Sequence, residues 1–415
     1  MQPAPGVAES DAAPESNERP WLFAFLIAPA AVIAIGLVGG ALSFLLRREG
    51  VDPGRSASIV SLLSLPHAIY FLWGPITDFF LRRRTWLMLA AVSAAGLLVA
   101  AFNQPRLGST SAIVLMFLAA CFVDIVVAAC GGMMGALKSE VSRRRASSFY
   151  QSGSLALAAI AVFALTLFAG RLSLNSLGVI IGAMVVLPSL FAFAAPSQNM
   201  IAEHTVRQTV ARVWTEFKGT FLRWEAIPYT MLVTFPMNSG AMIGLITGLA
   251  ADYHVTGRQV AWINGLGGAL LTTVGALAVA LIPVRIRAPI AFLLAGLANA
   301  AAVAVLAVAP LRPATYFAAT VLNLLTIGAG YALFTGVALE FLGGSGKSGS
   351  SRYAIINSLG NLPVAYMSWI DGRGYAHWGP RGMAGTDAVI SAVGASLLLG
   401  HFIVSRRCRR ADHAI

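Results

Sequence analysis

"GPITDFFLRRR", at residues 74–84, is a short polar connection between two long apolar segments. Pro75 has no backbone N–H to donate and therefore ends a helix. Asp78 and the arginines Arg82, Arg83 and Arg84 suit the level of the lipid headgroups. The apolar segments on both sides are about 20 residues long, which is enough to cross a hydrocarbon core of about 30 Å. The stretch therefore predicts a turn at a membrane face between two transmembrane helices.

The composition of the whole chain agrees with a membrane protein. Of its 415 residues, 57% are hydrophobic and 11% are charged, and the mean hydropathy is +0.76. A soluble protein has about 25% charged residues. Backbone polar groups inside lipid must be satisfied within their own segment, so the long apolar runs must be helices. The expected fold class is an all-α polytopic membrane protein.

Apolar segments of membrane length recur along the chain. The longest hydrophilic stretch, Ser197 to Glu225, divides them into two groups of six, and its apolar residues have helical spacing with basic residues between them. This pattern predicts an amphipathic helix at the membrane surface. The twelve predicted spans are 21–46, 56–80, 85–102, 111–138, 147–170, 173–196, 227–251, 256–282, 288–309, 313–340, 352–371 and 385–404.

The spans and the charged segments define the expected domains. Met1 to Pro20 lacks the basic start of a signal peptide and is rich in Ala, Pro, Glu and Ser, which predicts a disordered tail. The expected parts are this cytoplasmic tail at 1–20, an N-terminal six-helix bundle at 21–196, a cytoplasmic amphipathic linker at 197–226, a C-terminal six-helix bundle at 227–404 and a basic cytoplasmic tail at 405–415.

The distribution of basic residues predicts the orientation in the membrane. The net charge is +12, and 20 of the 29 Lys and Arg residues lie in the tails and the even-numbered connections. By the positive-inside rule, both termini face the cytoplasm of a bacterial-type inner membrane. This rule accounts for the positive charge, so no nucleic-acid partner is expected. The three cysteines do not form a disulfide framework.

Two ionisable residues lie well within predicted spans: His67 in the second and Asp124 in the fourth. A charge at the bilayer centre costs several kcal/mol, so such residues usually face a cavity and mark an ion or solute path. Asp124 is the candidate coupling or substrate-orienting group, and His67 is a candidate relay. The plainer alternatives are an interhelical hydrogen bond for Asp124 and a packed polar residue for His67.

Uncharged polar and aromatic side chains supply the other candidates. No Arg or Lys lies in mid-membrane, which argues against a site that clamps phosphate or carboxylate with buried arginines. A cavity lined by uncharged polar and aromatic side chains suits an amphipathic, hydrogen-bonding solute. Each such residue alone, however, more often serves in helix–helix packing. The candidates for the cavity lining are Asn238, Trp262, Asn264, Asn323, Tyr331, Asn357, Asn361, Tyr366 and Trp369. No metal-ligand spacing or catalytic triad is visible, so no metal, cofactor or enzymatic activity is expected.

The layout of six plus six spans with a central surface helix resembles the major facilitator superfamily, whose substrate sites lie near the midplane between the halves. Gly74, Asp78 and Arg82–Arg84 are similar to the family's signature in the connection between its second and third helices. The resemblance implies that this loop is a charge latch that holds one conformation of the halves. The alternative is that the arginines serve only to orient the chain.

Three stretches resemble one branch of that superfamily, the AmpG-type muropeptide permeases and acetyl-CoA transporters with their siderophore-uptake relatives. They are Pro66 to Trp86, Val123 to Val127 and Tyr353 to Pro363. In the second stretch, Val123 stands where the branch has Gln. Ala128, four residues after Asp124, stands where it has a second Asp.

The resemblance implies a secondary active transporter that moves an amphipathic small solute by alternating access, with proton coupling. The expected partners are the solute, protons and the lipid bilayer, and the expected state is a monomer. An efflux pump of the same fold is one alternative. A facilitator or exchanger is another if Asp124 is only structural. A non-transporting membrane scaffold or assembly factor would need neither the intramembrane carboxylate nor the latch.

Overall fold

The computed structural model describes residues 19–78, 81–135, 137, 140–195, 206–283, 286–342 and 349–412. Nearly all of these residues are helical. The predicted tail at 1–20 therefore lies outside the described residues except for its last two positions, as do residues 196–205 of the linker region and 413–415 of the basic tail.

The first six transmembrane helices, α1 to α6, alternate in direction and are joined by short connections. α1 changes between helix types along its length, and α2 ends in two 3-10 turns. The bounds are Pro20–Leu22, Phe23–Leu26, Ala30–Ala41 and Leu42–Arg48 for α1; Pro53–Ile69, Tyr70–Leu72 and Gly74–Asp78 for α2; Arg83–Phe102 for α3; Thr110–Gly135 for α4; Glu140–Phe168 for α5; and Leu174–Ser189 with Leu190–Ala194 for α6.

The linker helix, Val206–Phe221, precedes the second set of six, α7 to α12. Continuous helix covers Leu362–Asp412, but Gly379, with φ 66° and ψ −156°, divides it into the end of α11 and the whole of α12. The bounds are Trp224–Ala226, Ile227–Thr234 and Ala241–Leu249 for α7; Gly257–Val260, Ala261–Leu266, Gly267–Ala278 and Val279–Leu281 for α8; Ala288–Val308 for α9; Pro313–Leu342 for α10; Gly349–Gly360 and 362–378 for α11; and 380–412 for α12.

The described chain contains nine helices long and apolar enough to cross a membrane, and one of them, Ile355–Val404, holds both α11 and α12. The other two crossings are α2 and α7, which are interrupted by turns and are therefore shorter as single helices. The prediction of twelve transmembrane helices in two six-helix bundles is confirmed. The last two predicted spans, 352–371 and 385–404, were too short, because α11 continues to residue 378 and α12 begins at residue 380.

The molecule has a terminal face and a distal face, at opposite ends of its helices. The terminal face carries the chain ends Arg19 and Asp412 and the linker helix. The distal face carries the turn between Arg48 of α1 and Pro53 of α2. At the terminal face, Phe217 of the linker helix stacks on Phe71 of α2, with ring centroids 6.0 Å apart.

The halves meet closely in the distal part of the molecule. A Cβ built on Gly244 of α7 would lie 2.7 Å from the carbonyl oxygen of Gly39 of α1, and one on Gly372 of α11 would lie 2.7 Å from the carbonyl oxygen of Gly54 of α2. Small residues at these points let the helix backbones approach. Phe44 of α1 is also buried within the hydrophobic cluster of the C-terminal bundle. The distal face is therefore closed in this structure.

Candidate functional site

His67 of α2 and Asp124 of α4 are in direct contact. His67 Nδ1 and Asp124 Oδ1 are 2.6 Å apart, and the side chain of Asp124 is 2% exposed while that of His67 is 15% exposed. Each lies about 14 residues from the distal end of its helix, which places both at the same depth, roughly 20 Å along the helix axis. The structure thus brings together the two ionisable residues that the sequence singled out.

The contact between His67 and Asp124 has a defined hydrogen-bonding arrangement. With Asp124 ionised, its Oδ1 accepts a hydrogen bond from His67 Nδ1–H, which fixes the tautomer of a neutral imidazole. His67 Nε2 and Asp124 Oδ2 are buried and have no hydrogen-bond partner among the described residues. The pair therefore keeps one ring nitrogen and one carboxyl oxygen without a described partner, in addition to its internal hydrogen bond.

The helix carrying His67 is interrupted at this point. Pro66 lies inside α2, and beyond Ile69 the helix tightens into a 3-10 turn. This change removes the ordinary helical partners from the carbonyl groups just before it, and buried carbonyls need other donors. Ser358 Oγ of α11 donates to the carbonyl of Ala68 at 2.9 Å, and Asn361 Nδ2 donates to the carbonyl of His67 at 3.4 Å. The pair in the N-terminal half is thus tied directly to α11 of the C-terminal half.

Asn361 is therefore one of the predicted lining residues that lies near the pair, and Asn357, whose carbonyl accepts from Asn361 at 3.2 Å, lies one turn away. Trp369, on the same helix, is 47% exposed and lies under the guanidinium of Arg373, 5.0 Å from the ring centroid. Among the predicted lining residues Asn357, Asn361 and Trp369, it is the side chain of Asn361 that bridges the two halves, through its hydrogen bond to the carbonyl of His67.

Three other predicted lining residues surround the break in α7 between Thr234 and Ala241. Asn238, with φ 54°, donates to the carbonyl of Phe292 at 3.0 Å. Tyr366 Oη donates to the carbonyl of Thr234 at 2.7 Å, and the hydroxyl of Tyr331 lies against Gly240, which has φ 78°. The Tyr366 hydroxyl satisfies a carbonyl group of the irregular α7 backbone and the Tyr331 hydroxyl fills the space beside it, whereas the side chain of Asn238 joins the break to α9. The role of these three residues as cavity lining stays a prediction.

The remaining predicted lining residues pack within or between helices. Asn264 accepts a hydrogen bond from Tyr316 Oη at 2.9 Å, and Asn323 Oδ1 accepts from Asn299 Nδ2 at 2.9 Å. Trp262 of α8 is 54% exposed and contacts Phe163 of α5, with ring centroids 5.2 Å apart. None of these three side chains contacts His67 or Asp124 in a described hydrogen bond.

In the loop at residues 74–84, Arg83 bonds within the N-terminal half. Its Nη1 donates to the carbonyl of Gly132 of α4 at 2.7 Å, while Arg82 is the exposed N-cap of α3 and Arg84 is half-buried. Gly74 is buried in the first turn of the loop, where an added Cβ would lie 3.4 Å from Ala128. The side chain of Asp78 lies outside the described residues, so the latch between the halves stays a prediction.

The distal face contains an interaction that the sequence did not single out. Arg47 Nη2 at the end of α1 and Asp252 Oδ1 beyond α7 form an ion pair of 2.9 Å, and Tyr375 Oη of α11 approaches Asp252 Oδ2 at 3.4 Å. Burial raises the pKa of Asp252 above the ordinary Asp value, and Arg47 opposes that rise. Arg47 and Asp252 are 205 positions apart, so no local pattern links them.

The sequence also did not single out a second pair of intramembrane carboxyl groups, Asp371 of α11 and Asp387 of α12. Their side chains lie against each other, and the two residues are 0% and 2% exposed. The predicted spans end at 371 and begin at 385, so Asp371 falls at the edge of one span and Asp387 near the start of the next. The available signal was the dipeptide Gly379-Pro380, which is typical of a turn and which agrees with a tight turn between two longer helices. Within the described residues, no group of three or more His, Cys, Asp or Glu side chains is placed to hold a metal ion.

The fold agrees with three solved transporters. A mutant of the nucleoside transporter NupG has a TM-score of 0.69 at 12% identity, with 93% of this chain and 99% of that chain covered. The D-xylose-proton symporter has a TM-score of 0.69 at 12% identity, covering 91% and 95%. A POT family transporter in complex with a thioalcohol-conjugated peptide has a TM-score of 0.65 at 10% identity, covering 92% and 94%.

No protein-family model matches the chain, and no curated protein matches its sequence. At these identities the similarity shows the fold alone: a multi-pass membrane protein with the architecture of the major facilitator transporters.

Proposed function

We propose that this protein is a secondary active transporter that moves an amphipathic small solute across the membrane by alternating access, coupled to protons. The observation that carries the proposal is the buried contact between His67 and Asp124, 2.6 Å long, on the helix that meets α11 of the other half. A titratable pair at the boundary between two moving bundles is positioned to link proton binding to their movement.

The rest of the fold supports alternating access. The halves meet at the distal face through small residues and the Arg47–Asp252 ion pair, which is a reversible closure rather than a covalent one. The three structurally similar proteins carry transport names, for a nucleoside, for D-xylose with a proton, and for the POT family. The motif resemblance to the AmpG-type branch favours import of an amphipathic solute over efflux.

The positive-inside rule supports a cytoplasmic terminal face, with both chain ends in the cytoplasm of a bacterial-type inner membrane. The distal face then faces outward, and this structure is closed to the outside. We further propose that the transporter works as a monomer, because each six-helix half finds its partner within the same chain.

The first experiment identifies the solute by binding. Purified protein is screened by thermal shift against nucleosides, sugars, short peptides, muropeptides, siderophores and acyl-CoA compounds, because a ligand that binds the folded state raises its Tm by mass action. A solute class that stabilises the protein is then tested in proteoliposomes with an imposed proton gradient. We expect uphill uptake driven by inward-directed protons.

Variants separate proton coupling from binding. Asp124→Asn keeps the size and the hydrogen bond but not the charge, and we expect it to retain downhill exchange and to lose uphill uptake. Cys121→Ser, one turn from Asp124, is the matched control and should leave uptake unchanged. Unaltered uphill uptake by Asp124→Asn would refute coupling through this pair. Failure of every solute class to bind or move would favour the scaffold alternative.

A further inference from the structure

Asp371 and Asp387 form a buried carboxyl pair away from the His67–Asp124 site. They lie on α11 and α12, each eight residues, or roughly 12 Å, from the turn at Gly379. Asp371 is 0% exposed and Asp387 is 2% exposed. Their depth is closer to the distal face than that of His67, and both belong to the C-terminal half.

Close packing of the two helices brings these carboxyl groups together. A Cβ on Gly374 of α11 would meet the carbonyl oxygen of Gly382 at 2.7 Å and would collide with the side chain of Thr386 of α12. Gly374 is one turn after Asp371, and Thr386 is adjacent to Asp387. At this spacing the two carboxyl groups interact directly with each other.

No other described group neutralises the pair. Neither oxygen of Asp371 has a donor among the described side chains or N–H groups, and Ser368 Oγ, one turn earlier on α11, is likewise buried without a partner. α9 packs along both helices, and its residues 288–308 include no titratable side chain.

Titratable and charged groups are present on the other elements packed around the pair, α2 and α7, and on α11 and α12 themselves. None of them forms a described ion pair or hydrogen bond with either carboxyl group. They include Asp52, Arg55, His67, Asp252, Tyr253, Tyr366, Arg373, Tyr375, His377 and Arg381.

We propose that Asp371 and Asp387 share one proton and are a proton-binding site of the C-terminal half. Two carboxylates in contact, out of water and without a counter-charge, cannot both be ionised. One shared proton converts their repulsion into a short, charge-assisted O–H···O hydrogen bond. The proton belongs to the pair rather than to either residue.

The site acts on the closure of the distal face. Gly372, the residue after Asp371, packs directly on Gly54 of α2, so the position of α11 against α12 determines how α11 meets the N-terminal half. Release of the proton leaves two facing negative charges and drives α11 and α12 apart. The bound proton therefore stabilises the closed distal face. This inference depends neither on the solute nor on proton exchange at His67 and Asp124.

Infrared spectroscopy tests the shared proton directly. A pH titration of the purified protein in lipid should show the carbonyl stretch of a protonated carboxyl group that persists well above the pH at which an exposed Asp ionises. Asp371→Asn and Asp387→Asn should each remove this band, whereas Asp252→Asn, which lies outside the membrane helices, should retain it. A band unchanged in both Asn variants would overturn the proposal.

Thermal unfolding gives a second readout that needs no solute. The folded pair retains a proton that the unfolded chain releases, so the Tm of the wild-type protein should fall as the pH rises toward the ionisation of the pair. Either Asn variant should flatten this fall, and the wild-type titration suffices if one variant does not fold. A slope equal to that of the folded Asn variants would contradict the shared proton. A Tm that depends on Na⁺ rather than on pH would replace the proton by a metal cation.

Discussion

Arg47 at the end of α1 and Asp252 beyond α7 join the two bundles through an ion pair of 2.9 Å at the distal face. Tyr375 Oη of α11 lies 3.4 Å from the same carboxylate, so three helices of both halves meet at one acidic side chain. The carboxylate is largely buried, with 16% of its side chain exposed, while 29% of the Arg47 side chain is exposed. Closure of this face therefore places a charge in a partly dehydrated environment.

Removing Arg47 should open the distal face. Arg47→Gln leaves the carboxylate of Asp252 largely buried without a cation, which costs about 1–2 kcal/mol for a pair between surface and interior. Such a cost shifts a two-state equilibrium about 5- to 30-fold. Spin labels at the exposed positions Leu172 and Val308, at the distal ends of the two halves, should report a longer distance population in double electron–electron resonance.

The controls for this experiment separate the ion pair from general loss of charge. Asp252→Asn removes the buried charge itself, so we expect Arg47→Gln/Asp252→Asn to recover much of the closed population. Arg312→Gln removes an exposed arginine from the same face and should have no effect. An equal opening in Arg47→Gln and in the double variant would mean that Asp252 is not the source of the cost.

Acid should favour the closed distal face. Burial raises the pKa of Asp252, with Arg47 opposing, while an open face would return the carboxyl to water and to a pKa near the ordinary value of about 3.9. The closed state therefore binds the proton more tightly, and by linkage its population rises as the pH falls toward the raised pKa. The same spin-label pair, measured from about pH 7 to about pH 5, should show a growing short-distance population.

Asp252→Asn isolates this contribution from other titrating groups, among them the pair Asp371 and Asp387. The pH response of the wild-type protein should exceed that of Asp252→Asn in the acidic part of the range. If the wild type opened in acid relative to Asp252→Asn, Arg47 would outweigh burial and the sign of our prediction would be wrong.

Loss of the imidazole should destabilise the protein through Asp124. His67→Ala leaves a carboxyl group that is 2% exposed with no described partner, which costs about 1–3 kcal/mol even when the group takes up a proton. We expect a lower Tm for His67→Ala and a smaller loss for His67→Gln, which keeps a donor. Because the two residues act together, His67→Ala/Asp124→Asn should be no less stable than His67→Ala alone. Additive losses would show that each residue stabilises the fold independently.

The fold could be predicted from the sequence because most transmembrane helices are visible as separate apolar runs of membrane length. The hydrophobic runs and the basic connections predict twelve crossings without knowledge of any long-range contact. His67 and Asp124 were found by the same local rule, since a charge in an apolar run is conspicuous. Their contact across 57 positions needed the structure.

The second carboxyl pair and the side-chain contacts around the break in α7 could not be predicted from the local sequence pattern. Asp371 and Asp387 were missed because basic residues and glycines near Gly379 lower the local hydropathy, although the backbone turns there within a single residue. The hydrogen bonds of Asn238 to the carbonyl of Phe292 and of Tyr366 to the carbonyl of Thr234 were not predictable from the sequence, and the role of both residues as cavity lining stays a prediction. Whether a polar side chain faces a cavity or a broken helix depends on tertiary contacts.

A methyl group at the crossing of α2 and α11 should force the distal face open. Gly54 and Gly372 face each other so closely that a Cβ on either would lie 2.7 Å from the carbonyl oxygen of the other, and neither backbone is free to move alone within its helix. Gly54→Ala or Gly372→Ala should therefore lengthen the distance between labels at Leu172 and Val308 while the helical content stays unchanged. Gly96→Ala is the control, because no atom lies within 4 Å of its added Cβ. If either alanine lowered helicity without changing the label distance, the crossing would stabilise the helices themselves rather than the closed arrangement of the two bundles.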